Sequence, residues 1–269
     1  MDIKLKNKVA IITGGAGALG GIMAMGLAKQ GTKVAILGRT EKTIQIIVDE
    51  IKTAGGEAIG LVADVLNRNE LEVARDKVID KWGSLDILVN AAGGNMKGAT
   101  IMPEESFFDM NMDDFDAVTK LNLKGTILPT IVFGEQMALQ QKGSIVNISS
   151  MAAQQALTRV VGYSTSKASI DIFTKWLAVE MAQKHSEKIR VNAIAPGFFI
   201  GKQNRALLLN NDGSLTTRGE TIVKNTPMKR FGKAEELLST LYWLCDDDSS
   251  FITGIVVPVD GGFSAFSGV

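Results

Sequence analysis

Short apolar runs alternate with longer amphipathic runs along almost the whole chain, and this rhythm constrains the fold more than any other feature. The short runs are rich in Val, Ile and Leu, whereas the longer runs carry apolar residues at helical spacing. Strands are predicted at Val9–Ile12, Lys33–Leu37, Ala58–Val62, Leu85–Val89, Ser144–Ile148, Ile189–Ala193 and Gly254–Val259. Buried strands separated by helices favour a parallel sheet with helices on both faces. The expected fold class is therefore α/β, a doubly wound parallel sheet of about seven strands.

Chain length indicates the number of domains, and net charge indicates which classes of partner are expected. The 269 residues suit one α/β domain over 1–269, and no repeat or linker divides them. Twenty-nine basic residues balance twenty-nine acidic ones, so no net field attracts nucleic acid or an anionic membrane. Residues Met1–Lys8 are polar, and no apolar run has the length needed to span a bilayer. We expect a cytoplasmic protein without nucleic-acid or membrane partners.

The scarcity of soft ligands argues against a metal centre. Cys245 is the single cysteine and His185 the single histidine, so no internal disulfide can form and zinc lacks its usual ligand set. Cys245 lies in an apolar helical run, where a buried, unreactive thiol is expected. No metal is predicted.

A glycine-rich turn follows the first predicted strand, in the run Thr13–Gly20. Glycines permit a tight turn there and let backbone N–H groups approach a pyrophosphate at the positive end of the next helix. The spacing Gly-x-Gly-x-x-Gly lies between a strand and a helix, as dinucleotide binding requires. The residues predicted to bind the cofactor in this turn are Gly14, Gly15, Gly17, Ala18, Leu19 and Gly20.

The end of the second strand indicates which dinucleotide binds. An NAD site usually has Asp or Glu here to hold the ribose diol, whereas Gly38 leaves room and Arg39 offers a guanidinium to a 2′-phosphate. NADP is therefore favoured. NAD remains an alternative, because Glu41 can partly neutralise Arg39 and because Arg39 is also interpretable as a solvated charge at a helix start.

The segment that follows the fifth strand contains three residues suited to acid–base chemistry. Tyr163 and Lys167 are four residues apart on one face of an amphipathic helix, and Ser150 comes thirteen residues before Tyr163. A nearby cation favours phenolate, which lowers the pKa of tyrosine towards the range useful near neutral pH. Tyr-x-x-x-Lys alone is more often a surface pair, but its conjunction with Ser150 points to catalysis.

These motifs together resemble the short-chain dehydrogenase/reductase family, whose pattern T-G-x-x-x-[G/A]-x-G fits Thr13–Gly20 with Ala18 at the variable position. The resemblance covers essentially the whole chain. It implies a Rossmann fold and an NAD(P)-dependent oxidoreductase with Ser150, Tyr163 and Lys167 as catalytic residues. It also implies that Asn122, in an L-N-x-x-G context, holds a water that relays protons to Lys167. A structural asparagine with a satisfied amide is the alternative.

The resemblance adds further cofactor contacts. They are Asp64 and Val65 at the adenine, Asn90, Ala91 and Gly93 beside the cofactor, Tyr163 and Lys167 at the nicotinamide end, and Pro196 and Gly197 next to the nicotinamide. A helix cap also explains Asp64 or Asn67, and Asn67 with Glu70 forms a predicted capping box. The chain departs from the family at Gly201, where threonine is frequent.

Two segments are expected to border the substrate. They are the long loop 95–113 and a polar lid at about 198–230. The runs APGFFIGKQNRALL, NAAGGN and VVPVDGGFSAFSGV resemble the mannonate oxidoreductase (fructuronate reductase) branch, which is close to gluconate 5-dehydrogenases. The predicted substrate residues are Asn95, Ser150, Tyr163, Gln203, Asn204 and Arg205. Among the cations Lys97, Arg159, Lys202 and Arg205, the first choice for a substrate carboxylate is Arg205.

The predicted reaction is therefore hydride transfer between nicotinamide and a sugar acid, with D-fructuronate and D-mannonate as the leading pair. Alternatives are 5-ketogluconate, another carbonyl or enoyl substrate, or a catalytically silent ligand-sensing module. The helices from 115 to 139 and after Tyr163 carry more apolar surface than one sheet face covers. Since the family pairs these helices across a two-fold axis, a homotetramer is expected.

Overall fold

The first strand, β1 (Val9–Thr13), is buried along its whole length, as expected of a continuous run of apolar and β-branched residues. The computed structural model describes residues 4–201 and 204–268. Within these ranges seven parallel strands form one sheet in the order β3-β2-β1-β4-β5-β6-β7. The others are β2 (Lys33–Gly38), β3 (Ala58–Val62), β4 (Ile87–Asn90), β5 (Gly143–Ile148), β6 (Ile189–Pro196) and β7 (Val256–Val259). The predicted fold class and all seven predicted strands are confirmed.

Helices cover both faces of the sheet. In the described residues they are α1 (Ala18–Lys29), α2 (Glu41–Thr53), α3 (Arg68–Trp82), α4 (Met112–Thr119), α5 (Gly125–Gln140), α6 (Val161–Lys184), α7 (Arg205–Leu208), α8 (Thr217–Asn225) and α9 (Leu238–Cys245). Alternate residues of β1 point to opposite faces. Ile12 packs in a core with residues of α1, α2 and α9, whereas Ile11 packs in a second core with residues of α3, α5 and α6. No helix in these ranges is both long and apolar enough to cross a membrane.

The strand order reverses between β1 and β4, and this reversal opens a crevice at the carboxyl edge of the sheet. Thr13 closes the floor of the crevice. Its hydroxyl oxygen accepts hydrogen bonds from the backbone N–H groups of Ala91 and Ala92, each at 3.2 Å. The turn after β1 and the turn after β4 are therefore held side by side.

The helix predicted from 115 to 139 is interrupted. A π-helical turn at Lys120–Lys124 separates α4 from α5 and contains the buried Asn122. The Asn122 amide nitrogen donates to the Val118 carbonyl oxygen at 2.8 Å and to the Gly94 carbonyl oxygen at 2.7 Å. A side chain that bonds into the helical ladder and to a neighbouring loop accounts for the widened turn.

Candidate active site

The glycine-rich turn has the geometry that a dinucleotide pyrophosphate requires. Helix α1 begins after Gly17, which offers no side-chain cap, and its first turn carries no acidic residue. The N–H groups of that turn are therefore left for an anionic ligand. Gly14 has φ of +62°, and a Cβ on it would lie 2.8 Å from the Ala91 carbonyl oxygen. The close approach of the two turns thus depends on glycine, and the residues present fit the cofactor.

Asn90, at the end of β4, belongs to a buried polar ladder. Its amide nitrogen donates to Thr130 Oγ1 and to Asn147 Oδ1, each at 2.9 Å. Asn147 in turn donates to Thr174 Oγ1 at 2.9 Å and so links β5 to α6. The Asn90 amide nitrogen therefore ties β4 to β5 and α5, while its buried amide oxygen has no hydrogen-bond partner among the described residues. The cofactor contacts of Asn90, Ala91 and Gly93 stay predictions.

Tyr163 and Lys167 lie one turn apart on α6, as predicted. The Lys167 ammonium nitrogen is 5.5 Å from the centre of the Tyr163 ring and donates to the Ile148 carbonyl oxygen at 2.7 Å. Burial lowers the pKa of Lys167 to about 8, against an opposing effect of the Asp171 carboxylate. The lysine therefore titrates near physiological pH.

The pKa of Tyr163 departs from the sequence-based expectation. Burial raises the pKa of the phenol, and the hydrogen bond with the Ser150 side chain opposes this rise. Ser150 is itself buried, and its hydroxyl oxygen accepts from the Ala152 backbone N–H at 3.1 Å. Desolvation outweighs the Ser150 hydrogen bond here, because the site withdraws the phenol from water. At neutral pH the phenol is therefore protonated in this state.

Asn122 connects the π-helical turn to the loop after β4. Its amide oxygen accepts from the Gly94 N–H at 3.1 Å while its amide nitrogen donates to the Gly94 carbonyl oxygen. The side chain is thus satisfied, as in the structural alternative, and the proton relay stays a prediction. A Cβ on Gly93 would lie 2.6 Å from Asn122 Oδ1 and 3.5 Å from Lys167 Nζ, so glycine keeps this loop against both residues.

The residues predicted to contact the adenosine part of the cofactor lie after β2 and β3. Arg39 is exposed, and within residues 4–201 and 204–268 its guanidinium makes no ion pair, including none with Glu41. One carboxylate oxygen of Asp64 accepts from the Leu66 N–H at 2.9 Å. Val65 is buried and packs against the start of α5.

The helix cap beside Asp64 differs in detail from the predicted capping box. The Asn67 side chain accepts from the N–H groups of Asn69 and Glu70 and caps α3 as expected. The Glu70 carboxylate, however, accepts from the Asp64 N–H and from the Asn67 amide nitrogen rather than from the Asn67 backbone. The turn between β3 and α3 is therefore held by the carboxylates of Asp64 and Glu70.

The predicted substrate residues differ in their exposure and in their hydrogen bonding. Asn95 is exposed and donates to Thr100 Oγ1 at 2.7 Å. Both ends of the Asn204 amide bind its own turn, at the Phe199 carbonyl oxygen and the Gly201 N–H. Arg205 is exposed at the start of α7. Lys202 and Gln203 lie outside the described residues.

Sequence reasoning missed Asp171, one turn after Lys167 on α6. Its carboxylate accepts a hydrogen bond from the Ser149 hydroxyl, and burial raises its pKa. Asp171 acts on Lys167, since the Asp171 charge favours the ammonium form and so raises the pKa of the lysine. The spacing Lys167-x-x-x-Asp171 repeats the spacing of Tyr163 and Lys167, and this was the available signal.

A parallel sheet with a glycine-rich first turn and a Ser-Tyr-Lys cluster at its carboxyl edge defines a nicotinamide-dependent dehydrogenase. The sequence profile described as "Enoyl-(Acyl carrier protein) reductase" matches residues 14–264. The chain belongs to the short-chain dehydrogenase/reductase family, and it is an NAD(P)-dependent oxidoreductase.

Similar proteins share the full length of the chain. "Uncharacterized oxidoreductase UxuB" of Bacillus subtilis (strain 168) is 48% identical over 274 residues, covering 98% of each chain. A crystal structure of a proposed D-mannonate oxidoreductase from Haemophilus influenzae with bound NAD is 42% identical, with a TM-score of 0.92 and 98% of each chain covered. A gluconate 5-dehydrogenase from Burkholderia cenocepacia J2315 in complex with NADP and tartrate is 27% identical, with a TM-score of 0.86 and the same coverage.

Proposed function

We propose that this enzyme interconverts a sugar-acid ketone and the corresponding alcohol, with D-fructuronate and D-mannonate as the leading pair. The observation that carries the chemistry is the cluster of Ser150, Tyr163 and Lys167 at the carboxyl edge of the sheet. A bound nicotinamide supplies the hydride acceptor or donor. In the reductive direction the Tyr163 phenol donates its proton to the substrate oxygen, and Ser150 orients that oxygen by a hydrogen bond.

The proton balance of the site suits this direction. Burial raises the pKa of Tyr163, which keeps the phenol protonated and ready to act as an acid at neutral pH. Once Tyr163 gives up its proton, the phenolate is stabilised by the nearby Lys167 cation. Lys167 and Tyr163 would also hold the nicotinamide ribose. Asn122 positions the turn that carries Gly93 against Lys167.

NADP is the proposed preferred cofactor, with NAD as the alternative. The support is the exposed Arg39 guanidinium next to Gly38, together with the lack of an acidic residue at these two positions. The relatives point in both directions, because the H. influenzae protein holds NAD and the B. cenocepacia enzyme holds NADP.

The substrate proposal rests on the polar character of the segments that border the site and on the relatives. A sugar acid needs a cation for its carboxylate and hydrogen-bonding groups for its hydroxyls. The segment around 198–230 is proposed as the lid. Arg205 in this segment and Asn95 in the loop after β4 are exposed and so available to a ligand. 5-Ketogluconate is the second candidate, favoured by the likeness to a gluconate 5-dehydrogenase.

A substrate screen with a catalytic variant tests these proposals. D-Fructuronate, 5-ketogluconate and simple alkyl ketones are compared through nicotinamide absorbance with each cofactor. Tyr163→Phe should retain cofactor binding and lose turnover about 10²- to 10⁴-fold, the contribution of general acid catalysis. Near-normal turnover in Tyr163→Phe would rule out the acid, and better turnover of alkyl ketones than of any sugar acid would rule out the substrate class. Absence of all turnover would favour the ligand-sensing alternative.

A further inference from the structure

Two arginines converge beside the site without a carboxylate between them. Arg159 lies in the loop that leads into α6, and Arg218 is in the first turn of the lid helix α8. The Arg218 guanidinium reaches Thr158 Oγ1, with 3.5 Å between nitrogen and oxygen. Burial lowers the pKa of Arg218, and the positive charge of Arg159 lowers it further. The two cations are therefore close enough to repel each other.

The backbone fixes Arg159 at the junction of three segments. Its φ is +80°, in the left-handed region that non-glycine residues rarely adopt. Its carbonyl oxygen accepts from the Ile101 N–H at 2.9 Å, which ties the loop before α6 to the loop after β4. The contact between Arg218 and Thr158 brings the lid helix α8 to the same junction. Arg159 is held in an uncommon conformation where the two loops and the lid meet.

A bound anion would reduce the repulsion between Arg159 and Arg218. Both side chains are partly buried, and among residues 4–201 and 204–268 neither forms an ion pair. Three other arginines of the described chain have carboxylate partners, namely Arg68, Arg75 and Arg230. Two adjacent, partly desolvated guanidinium groups lose solvation and repel, and a carboxylate between them offsets both effects.

We propose that Arg159 and Arg218 together bind the substrate carboxylate, one from the loop before α6 and one from the lid. The assignment rests on the proposed sugar-acid function. Arg159 is four residues before Tyr163, and four residues span at most about 14 Å even when extended. The Arg159 backbone thus lies within a range of Tyr163 that a long arginine side chain and a six-carbon acid together can bridge. Because Arg218 belongs to α8 and already contacts Thr158, a bound carboxylate would hold α8 against the loop before α6.

Charge-removing variants test the pair against matched substrates. Arg159→Gln and Arg218→Gln should each lower kcat/KM for D-fructuronate about 10- to 100-fold, mostly through KM, because a charge-assisted hydrogen bond is lost. For the neutral ketose D-fructose the change should stay within about twofold. Arg218→Lys keeps the charge but lacks the planar guanidinium that binds a carboxylate through two N–H groups, and it should give an intermediate loss of kcat/KM for D-fructuronate. Lys224→Gln removes an exposed charge from the same helix and should leave both substrates unaffected.

The outcomes separate this proposal from the proposed function. If the wild type turns over D-fructuronate but both glutamine variants match it, the arginine pair is rejected while the function stands. Equal losses on both substrates, or a full loss from Arg205→Gln alone, also overturn the pair. If no sugar acid is turned over, calorimetric titration of the NADP-saturated enzyme with D-gluconate decides. Binding that both variants abolish supports the anion site, and no binding to the wild type rejects it.

Discussion

The Lys167 ammonium nitrogen lies 2.7 Å from the carbonyl oxygen of Ile148 and so ties α6 to the end of β5. Only 4% of Lys167 is exposed, and burial lowers its pKa to about 8. A charged lysine in such a place costs stability. The catalytic role proposed for Lys167 accounts for this position better than packing does.

Replacement of this lysine should separate stability from activity. Lys167→Met should abolish turnover yet raise the free energy of unfolding at pH 7 by about 1–3 kcal/mol, since the desolvation cost outweighs one lost hydrogen bond. The folded pKa of about 8 is below the ordinary value of 10.5. Between these values the unfolded chain binds the proton and the folded chain does not, so the wild type gains stability as pH rises through this window. The advantage of methionine should therefore shrink from pH 7 to pH 10.

Chemical denaturation at several pH values measures this effect. Lys184→Met, which removes an exposed lysine from the same helix, should change the free energy of unfolding by no more than about 0.5 kcal/mol. A destabilised Lys167→Met, or one whose advantage does not depend on pH, would mean that the hydrogen bond to Ile148 dominates over desolvation.

Asp171 should set the pH range of activity. Its charge favours the ammonium form of Lys167, so Asp171→Asn should lower the pKa of Lys167 below about 8. The alkaline fall of kcat/KM should then begin at lower pH. Asparagine retains an oxygen acceptor for the Ser149 hydroxyl, so the geometry is expected to persist.

The measurement is a pH profile of reduction, with Glu180→Gln as the matched change on α6. Glu180 pairs with Lys184 at 2.8 Å rather than with Lys167, and its removal should leave the profile in place. An unchanged profile in Asp171→Asn would show that another group controls the alkaline limb.

Local patterns predicted the fold and the placement of Tyr163 and Lys167 on one helix, because each depends on spacing along one element. Short β-branched runs predicted the strands. Helical periodicity predicted that Tyr163 and Lys167 are neighbours on one face of a helix. The glycine-rich turn was recognisable because a strand precedes it and a helix follows.

Features that depend on tertiary contact were not predictable in this way. The π-helical turn is coupled to a contact between Asn122 and Gly94, which are distant in sequence. The raised pKa of Tyr163 is a property of burial, whereas its sequence neighbourhood indicated only a nearby cation. Arg218 belongs to a polar segment without a motif, and only the tertiary fold brings α8 to the loop that contains Thr158 and Arg159.

Arg39 should discriminate the two cofactors. Arg39→Ala should weaken NADP binding by about 1.5–3 kcal/mol, the scale of a charge-assisted hydrogen bond, and leave NAD binding nearly unchanged. Fluorescence titration of each cofactor measures the two dissociation constants. Lys42→Ala removes a neighbouring exposed charge and controls for the general field of α2. Equal losses for NAD and NADP in Arg39→Ala would assign Arg39 to the stability of this turn.

The exposed face of α6 should mediate assembly into the proposed homotetramer. Ile172, Trp176 and Val179 are 64%, 59% and 55% exposed at helical spacing, and such a contiguous apolar stripe is unusual on a monomer. Trp176→Glu should place a charge in the contact and reduce the mass seen by light scattering, with loss of activity because α6 also carries Tyr163 and Lys167. Val73→Glu, which alters an exposed apolar residue on α3, should leave the mass unchanged. A wild-type monomer that is active at assay concentration, or an intact oligomer in Trp176→Glu, would show that this face does not hold the subunits together.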